Sequence, residues 1–293
     1  MQVKATRKID AFLALAFLLA FSSNSIGNES VVLLAKELES RLGARIGVAV
    51  KDTHTGRQWS YRGDERFPLT STFKPLACAA ILAQVDAGNE LLERRLRIGP
   101  PQIVVYSPIT TELSGGEISL ERACEAAITV SDNTAANLVL DALGGPTALT
   151  DFFRTVGDEH SRLDRTEPKL NEAVPGDPRD TTTPNAIVGT LETLVNGRVL
   201  GADSKQTLER WMSDNKVGEA LFRSRLPEGW RIADKTGAGG YGSRALIALV
   251  RPSNRGAAFV AVYVTNTDAS FADRNEAIAE IGAGIFTLLA LPQ

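Results

Sequence analysis

A run of apolar residues constrains the fold of this chain more than any other feature of its sequence. Residues 75–85 carry almost no polar side chain, and a helix that is apolar on every side is a buried helix. Pro75 has no amide hydrogen and fits only the first turn of a helix, so we expect the helix to begin close to Ser71. The rest of the chain should therefore be organised around this helix.

Ser71 and Lys74 give the start of this helix a possible chemistry. Unpaired amides and the helix dipole favour developing negative charge at a helix N-terminus. Lys74 follows three residues later on the same face, within reach of the serine hydroxyl. A desolvated lysine there could activate the hydroxyl as a nucleophile. Ser-x-x-Lys is a weak pattern, and residues 213–216 match it too, but only residues 71–74 lead into an apolar helix.

Composition and the N-terminal segment restrict the class of protein. The 293 residues are 43% hydrophobic with a net charge of −3, enough for one large or two interleaved domains. Mild acidity without a Lys/Arg-rich stripe argues against nucleic acid as a partner. Residues 1–27 have a basic start, an apolar run too short to span a bilayer and a small-residue end. This pattern predicts a cleaved signal peptide and a periplasmic mature protein without a membrane anchor.

Two cysteines, Cys78 and Cys124, remain in a compartment that permits disulfides. Closing the loop between them would stabilise the fold by about 4 kcal/mol. The alternative is two separate buried thiols, and we favour the disulfide. His54 and His160 are isolated and no C-x-x-C pattern occurs, so we expect neither a zinc site nor a cofactor.

The order of the predicted elements indicates an α+β fold. Helix and strand patterns occur at both ends of the chain, and helices with long loops occur between them, with no convincing strand between residues 67 and 212. We expect an antiparallel sheet flanked by helices, an α/β/α sandwich built from residues 28–65 and 214–293. Residues 66–213 would form an inserted all-helical domain that includes a 161–181 loop, with the active site in the groove between the two parts. The individual elements are predicted as helices at 29–42 and 275–289, and strands at 46–51, 58–61, 231–235, 244–251 and 257–265.

Two polar motifs lie in the helical segment. Ser131-Asp132-Asn133 occupies a break between helices, where a second serine could relay a proton or simply cap a helix. Glu167 and Asn171 lie in the long 161–181 loop and could hold one water between a base and an amide. Loops of this length are uncommon in compact domains unless they are functional. The alternative is a solvated charged loop, pinned by an ion pair between the flanking residues Arg165 and Asp180.

A third motif, Lys235-Thr236-Gly237, ends a predicted strand and precedes a glycine-rich stretch. A lysine, a hydroxyl and closely approaching backbone form a plausible carboxylate site, and the amide of Ala238 could point at an oxyanion. In isolation, a plain glycine-rich turn explains this motif equally well.

Taken together, the four motifs in this order, behind a signal segment, resemble the class A serine β-lactamases. The resemblance covers the mature chain and implies hydrolysis of penicillin-type antibiotics through an acyl-enzyme on Ser71, with Lys74 and Glu167 as the bases. It also implies proton delivery by Ser131, water activation by Glu167 with Asn171, and an oxyanion hole formed by the amides of Ser71 and Ala238.

The resemblance also implies which residues bind the substrate. The carboxylate would bind Lys235, Thr236, Gly237 and Arg244, the acyl side chain would contact Asn133, and Tyr106 would stand at the entrance. Asn137 would brace the Glu167 loop, and Cys78 and Cys124 match the disulfide of other members. We expect a monomer. The alternatives are a penicillin-binding D,D-peptidase and a non-hydrolysing β-lactam receptor, both of which should lack the deacylating Glu167 and Asn171.

Overall fold

A five-stranded antiparallel sheet is built from both ends of the chain. The computed structural model describes residues 30–253 and 255–291, so the predicted signal peptide lies outside the described residues. The strand order is β2-β1-β9-β8-β7, which leaves β7 at one edge. These strands are β1 (Arg45–Asp52), β2 (Gln58–Tyr61), β7 (Arg231–Ala238), β8 (Arg244–Arg251) and β9 (Ala258–Thr265).

The sheet is buried on both faces, because its strands are apolar at successive positions. In β8, Leu246 and Ala248 face one hydrophobic cluster, whereas Ile247 and Leu249 face the other, as the period-two alternation of a strand requires. The first cluster lies under the first and last helices, and the second lies under the remaining helices. The fold is therefore α+β, with the sheet between helical layers, as predicted.

Helices supply the two outer layers. In the described residues they are α1 (30–42), α2 (Lys74–Asp86), α3 (Leu120–Thr129), α4 (Asn133–Leu143), α5 (Pro146–Thr155), α6 (Pro184–Asn196), α7 (Ala202–Ser213) and α8 (Phe271–Ala290). Helix α6 packs against β1 and β9, and α7 packs against β7. No helix of the described part is long and apolar enough to cross a membrane. The division into two domains at residues 65 and 213 stays a prediction.

Helix α2 is the buried helix that the sequence predicts. Its residues from Lys74 to Leu82 are all buried, and Pro75 lies in its first turn. A single 3₁₀ turn, Thr70–Phe73, precedes it, so Ser71 lies just before the α-helix begins. The apolar sequence therefore places Ser71 at the end of a rigid internal element.

Three details of the predicted elements are wrong. Short strands do occur between residues 67 and 212, but their length of two or three residues leaves no readable alternation: β3 (Phe67–Pro68), β4 (Arg95–Arg97), β5 (Glu117–Ser119) and β6 (Thr181–Thr182). Helix α8 begins at Phe271 rather than at residue 275, because Ser270 caps it by accepting a hydrogen bond from the Asp273 amide at 3.1 Å. The sequence pattern predicts Val32, Leu33, Leu38 and Leu42 as the apolar stripe of the first helix, but Leu33 is 63% exposed.

The cysteines Cys78 and Cys124 differ from the prediction in their bonding. Both are buried free thiols in this structure, so the predicted disulfide is not formed. The two thiols nevertheless lie in hydrogen-bond contact, and burial together with this contact raises the pKa of Cys78. Helices α2 and α3 thus bring the two thiols side by side, and the covalent bond stays a prediction.

Candidate active site

Ser71 is held by the backbone turn that precedes α2. Thr70 adopts φ 45°, a left-handed conformation that is strained for a β-branched residue. The hydroxyls of Thr70 and Thr72 both donate to the Leu69 carbonyl, at 2.7 and 2.6 Å. Ser71 itself is 8% exposed and lines a cavity of about 460 Å³. The turn therefore presents one hydroxyl to the cavity.

The carboxylate of Glu167 lies against Ser71 and Lys74. The Ser71 hydroxyl donates to Glu167 Oε1 at 3.5 Å, a long hydrogen bond, and Lys74 Nζ lies 3.2 Å from the same oxygen. Both charged side chains are fully buried. Burial lowers the pKa of Lys74, and the neighbouring carboxylate partly offsets this effect. One oxygen of Glu167 thus contacts both the hydroxyl and the ammonium.

Lys74 does not bind Ser71 directly, although their spacing along the helix suggested it. Its ammonium donates to the Ser131 carbonyl at 2.8 Å, to the Ser131 hydroxyl at 3.2 Å and to Asn133 Oδ1 at 2.6 Å. In the described part of the chain no hydrogen bond joins Lys74 to Ser71. Three residues, Ser131, Asn133 and Glu167, compete for this ammonium, and spacing within one helix could not reveal that.

Asn171 completes the surroundings of the carboxylate. Its Nδ2 donates to Glu167 Oε2 at 2.5 Å. Its Oδ1 is one of two buried side-chain polar atoms in the described residues that have no hydrogen-bond partner. Buried polar groups are normally satisfied, so this oxygen is available to a small donor such as water. Asn171 also lines the cavity, as Ser71 does.

The loop that carries Glu167 is fixed at two points. Asn137 binds both backbone groups of Glu167, accepting from its amide at 2.8 Å and donating to its carbonyl at 2.9 Å. Arg165 Nε donates to Asp180 Oδ2 at 2.6 Å, and Asp180 Oδ1 accepts the backbone amides of residues 164 and 165. These contacts hold the base in a defined position although it lies on a long loop.

Ser131 lies between two lysines. It adopts φ 61° in the short connection between α3 and α4, and its hydroxyl lies 3.2 Å from Lys74 Nζ and 3.1 Å from Lys235 Nζ. Lys235 is fully buried, and burial followed by the charge of Lys74 lowers its pKa well below the usual value. The Ser131 hydroxyl can therefore exchange protons with two amines.

The edge strand β7 forms the opposite wall of the cavity. At Gly237 a Cβ atom would lie 1.9 Å from Thr70 Oγ1 and 3.1 Å from the Ser71 amide nitrogen, so only glycine permits this approach. Ala238 follows at the end of the strand and lines the cavity together with Ser71. β7 is thus packed directly against the turn that carries the serine.

Arg244 provides positive charge at the other end of the cavity. It is only 5% exposed, and it donates to the Gly237 carbonyl at 3.0 Å and to Asn275 Oδ1 at 2.8 Å. Burial and the charge of Arg274 lower its pKa to about 10. No carboxylate of the described residues pairs with it, so its charge is available to an anion. Thr236 lines the same region.

The remaining cavity residues include some that the sequence did not indicate. Tyr106 is 56% exposed at the mouth, and Asn133 lies deeper, its Nδ2 donating to the Val105 carbonyl at 2.9 Å. Four lining residues carry no motif in the sequence: Val217, Ala220, Phe271 and Asn275. The first two lie in a loop. The last two lie near the start of α8, which the Ser270 cap could have indicated.

The site contains no candidate metal centre. No group of three or more His, Cys, Asp or Glu side chains in the described part of the chain could hold a metal ion. The arrangement instead brings together a hydroxyl, a carboxylate, two amines and an unpaired guanidinium around a cavity. Such a set can carry out nucleophilic acyl transfer on an anionic substrate.

Known proteins resemble this chain over most of its length. Residues 33–289 match the model of a family described as the beta-lactamase enzyme family. Beta-lactamase CARB-4 of Pseudomonas aeruginosa is 49% identical over 264 residues, 90% of this chain and 92% of the relative. Beta-lactamase AER-1 of Aeromonas hydrophila is 50% identical over 245 residues, 83% of this chain and 81% of the relative.

Solved structures show the same similarity. The chromosome-encoded β-lactamase of Vibrio parahaemolyticus superposes with a TM-score of 0.86 at 50% identity, covering 88% of this chain and 100% of the other. An ancestral class A β-lactamase also gives a TM-score of 0.86, at 52% identity, covering 88% and 99% of the two chains.

Proposed function

This chain belongs to class A of the β-lactamase enzyme family, and on that premise we propose that Ser71, Lys74 and Glu167 hydrolyse the lactam amide of penicillins. The observation that carries the assignment of roles is the shared Glu167 carboxylate. One of its oxygens contacts the Ser71 hydroxyl and the Lys74 ammonium, and the other accepts from Asn171. A single base can therefore serve both the nucleophile and a hydrolytic water.

Binding uses the two ends of the cavity. The substrate carboxylate binds near Thr236 and Arg244, where a guanidinium with no acidic partner among the described residues lines the cavity, and Lys235 adds charge behind them. Asn133 and Tyr106 flank the acyl side chain at the other end. The lactam carbonyl then lies between the amides of Ser71 and Ala238. Each such donor is worth about 3 kcal/mol in the transition state.

Acylation begins with loss of the Ser71 proton. The hydroxyl donates to Glu167 Oε1 and Lys74 Nζ lies 3.2 Å from the same oxygen, so Glu167 and Lys74 share the activation of Ser71, and a proton can pass between the carboxylate and the amine. The serine oxygen attacks the lactam carbonyl, and the ring C–N bond breaks. Ser131 then donates its proton to the departing nitrogen and regains one from Lys74 or Lys235, which both lie within 3.2 Å of its hydroxyl. The proton taken from Ser71 passes from Glu167 to Lys74 and replaces the one given up, so Glu167 is a carboxylate again before deacylation.

Deacylation uses the Glu167 carboxylate together with Asn171 Oδ1. A water that donates to Glu167 and to the unpartnered Asn171 Oδ1 would lie beside the Ser71 ester. Glu167 takes one proton, the resulting hydroxide attacks the ester carbonyl, and the C–O bond to Ser71 breaks with return of the proton. A D,D-peptidase or a non-hydrolysing receptor would not need this second arrangement, so the geometry favours the hydrolase.

We further propose that the mature protein acts as a periplasmic monomer without a membrane anchor. The basic and apolar pattern of residues 1–27 supports export through a cleaved signal peptide. Ser71, Glu167, Lys74 and Arg244 of one chain already supply a nucleophile, the bases and an anion-binding cation, which supports a monomer as the active unit.

Penicillin turnover by purified protein tests this proposal. Loss of the lactam absorbance of benzylpenicillin is expected for the wild type and for Ser213→Ala, which alters the other Ser-x-x-Lys match at an exposed position. Ser71→Ala should abolish turnover. A wild type that leaves the lactam intact, or a Ser71→Ala variant that retains turnover, would refute the proposal.

A further inference from the structure

Phe271 is an exposed aromatic residue at the wall of the cavity. It is the first residue of α8 and is 50% exposed, although Ser270 caps the helix directly before it. The buried face of α8 begins only at Ala277, so the Phe271 side chain does not contribute to the packing of this helix against the core. Its ring instead lines the cavity beside Arg244 and Asn275.

Two guanidinium groups lie over the Phe271 ring. The Cζ atom of Arg244 is 4.8 Å from the ring centroid, and that of Arg274 is 5.4 Å away. The face of an aromatic ring attracts cations at such distances. Neither guanidinium forms an ion pair with any carboxylate of the described residues, and within this part of the chain the Arg274 side chain donates one hydrogen bond, to the Ser270 carbonyl at 3.2 Å. The ring is therefore the group that both cations share.

The two cations repel each other. The charge of Arg274 is among the causes that lower the pKa of Arg244, second only to burial. Arg244 is fixed on one side by the Gly237 carbonyl and by Asn275 Oδ1, which bind two of its nitrogens. Contact with the ring offsets the repulsion and restricts the plane of the guanidinium. Without the ring, Arg244 would retain its two hydrogen bonds but lose the stacking contact.

We propose that Phe271 is a positioning residue, which holds the Arg244 guanidinium against Arg274 in the orientation that receives the substrate carboxylate. This inference rests on the proposed function. It makes the aromatic ring a determinant of KM for anionic β-lactams and leaves the acylation and deacylation chemistry at Ser71 unchanged.

Steady-state kinetics of Phe271→Leu and Phe271→Tyr tests the proposal. Leucine keeps an apolar side chain but removes the aromatic face, whereas tyrosine keeps the face. With benzylpenicillin we expect Phe271→Leu to raise KM about three- to tenfold, with kcat within about twofold of wild type. Phe271→Tyr should stay within about twofold of wild type in both constants.

Two further measurements separate positioning from simple packing. With benzylpenicillin methyl ester, which lacks the carboxylate charge, Phe271→Leu should match wild type in kcat/KM. In an Arg244→Gln background, Phe271→Leu should raise KM no further. An unchanged KM in Phe271→Leu, an equal loss with the ester, or an equal loss in Phe271→Tyr would overturn the proposal. Wild-type turnover in the same assay reports separately on the proposed function.

Discussion

Lys235 is a buried cation without a carboxylate partner among the described residues. Its ammonium is fully buried and donates only to the Ser131 hydroxyl at 3.1 Å and to the Thr236 carbonyl at 2.8 Å. Burying a charge without an ion pair is unfavourable. Lys235 therefore lowers the stability of the fold while it provides positive charge beside the cavity, as residues of active sites commonly do.

Lys235→Met should stabilise the protein while lowering its activity. We expect the free energy of unfolding at pH 7 to rise by about 1 to 3 kcal/mol, because an apolar side chain replaces a buried ammonium. Urea unfolding measures the change, and Lys36→Met, at an exposed site on α1, is the control. A destabilised Lys235→Met variant would contradict this account.

The difference between wild type and Lys235→Met should depend on pH. In the folded protein the pKa of Lys235 lies well below its ordinary value of 10.5. The destabilisation by the buried charge is therefore complete at pH values below the folded pKa, and it decreases as the pH rises from there to the pKa of the unfolded chain. The difference in stability between Lys235→Met and wild type should narrow toward pH 10, and a difference that widens with pH would contradict this account.

For single residues, the sequence predicted which polar side chains belong to the site better than it predicted their hydrogen-bond partners. Ser71, Ser131, Glu167 and Lys235 were identified from short motifs; Ser71 and Ser131 line one cavity, and Glu167 and Lys235 are in hydrogen-bond contact with them. That Ser71 binds Glu167 rather than Lys74 could not be predicted, because Ser131, Asn133 and Glu167, all distant in the sequence, compete for the lysine. Phe271 was missed because an aromatic residue at a helix start carries no motif.

β7 packs against the turn before α2 beside the cavity. Gly237 lies against Thr70 and the Ser71 amide, and just beyond the end of the strand the Gly240 amide donates to the Asn171 carbonyl at 2.8 Å. β7 and the turn that follows it therefore contact both the turn that carries the nucleophile and the loop that carries the base. Few substitutions should be tolerated along this contact.

Gly237→Ala should disrupt this contact. The added methyl group would lie 1.9 Å from Thr70 Oγ1, so the strand and the turn must separate. We expect a loss of about 1 to 3 kcal/mol in stability and a fall in kcat/KM of about a hundredfold. Gly189→Ala in α6, where a Cβ meets nothing within 4 Å, is the matched control and should be neutral or slightly stabilising. Equal behaviour of the two variants would refute the argument.

Elements were predictable where their pattern was long. The buried helix α2 and the long strands β1, β8 and β9 follow from apolar runs that are long enough to show a pattern. The start of α8 was predicted four residues late because the Ser270 cap was overlooked. The two- and three-residue strands are defined only by their partners, such as β3 by β6, and no local pattern indicates them.

The whole molecule brings distant segments together across the sheet. That both termini build one sheet could be inferred from the order of elements, since helix and strand patterns occur at both ends. The placement of Glu167 against Ser71, across 96 residues of chain, could not be derived from local patterns. Only the resemblance to a known motif set predicted it.

Oxidation should join Cys78 and Cys124. The two thiols are buried in contact between α2 and α3, so a mild oxidant should remove two hydrogens from the protein mass. Unfolding in urea should then require about 4 kcal/mol more than for the reduced protein. Cys124→Ala should show no difference between oxidising and reducing conditions. Two thiols that stay titratable after oxidation would contradict the prediction.

The most direct test of the mechanism asks whether Glu167 is needed to release the product. Intact-mass spectrometry of Glu167→Ala mixed with benzylpenicillin should show one covalent adduct that persists and maps to Ser71. Glu172→Ala, an exposed carboxylate on the same loop paired with Arg165, should turn over substrate without a lasting adduct. A folded Glu167→Ala protein that carries no adduct, or that hydrolyses penicillin as fast as wild type, would contradict the assignment of Glu167 as the deacylating base.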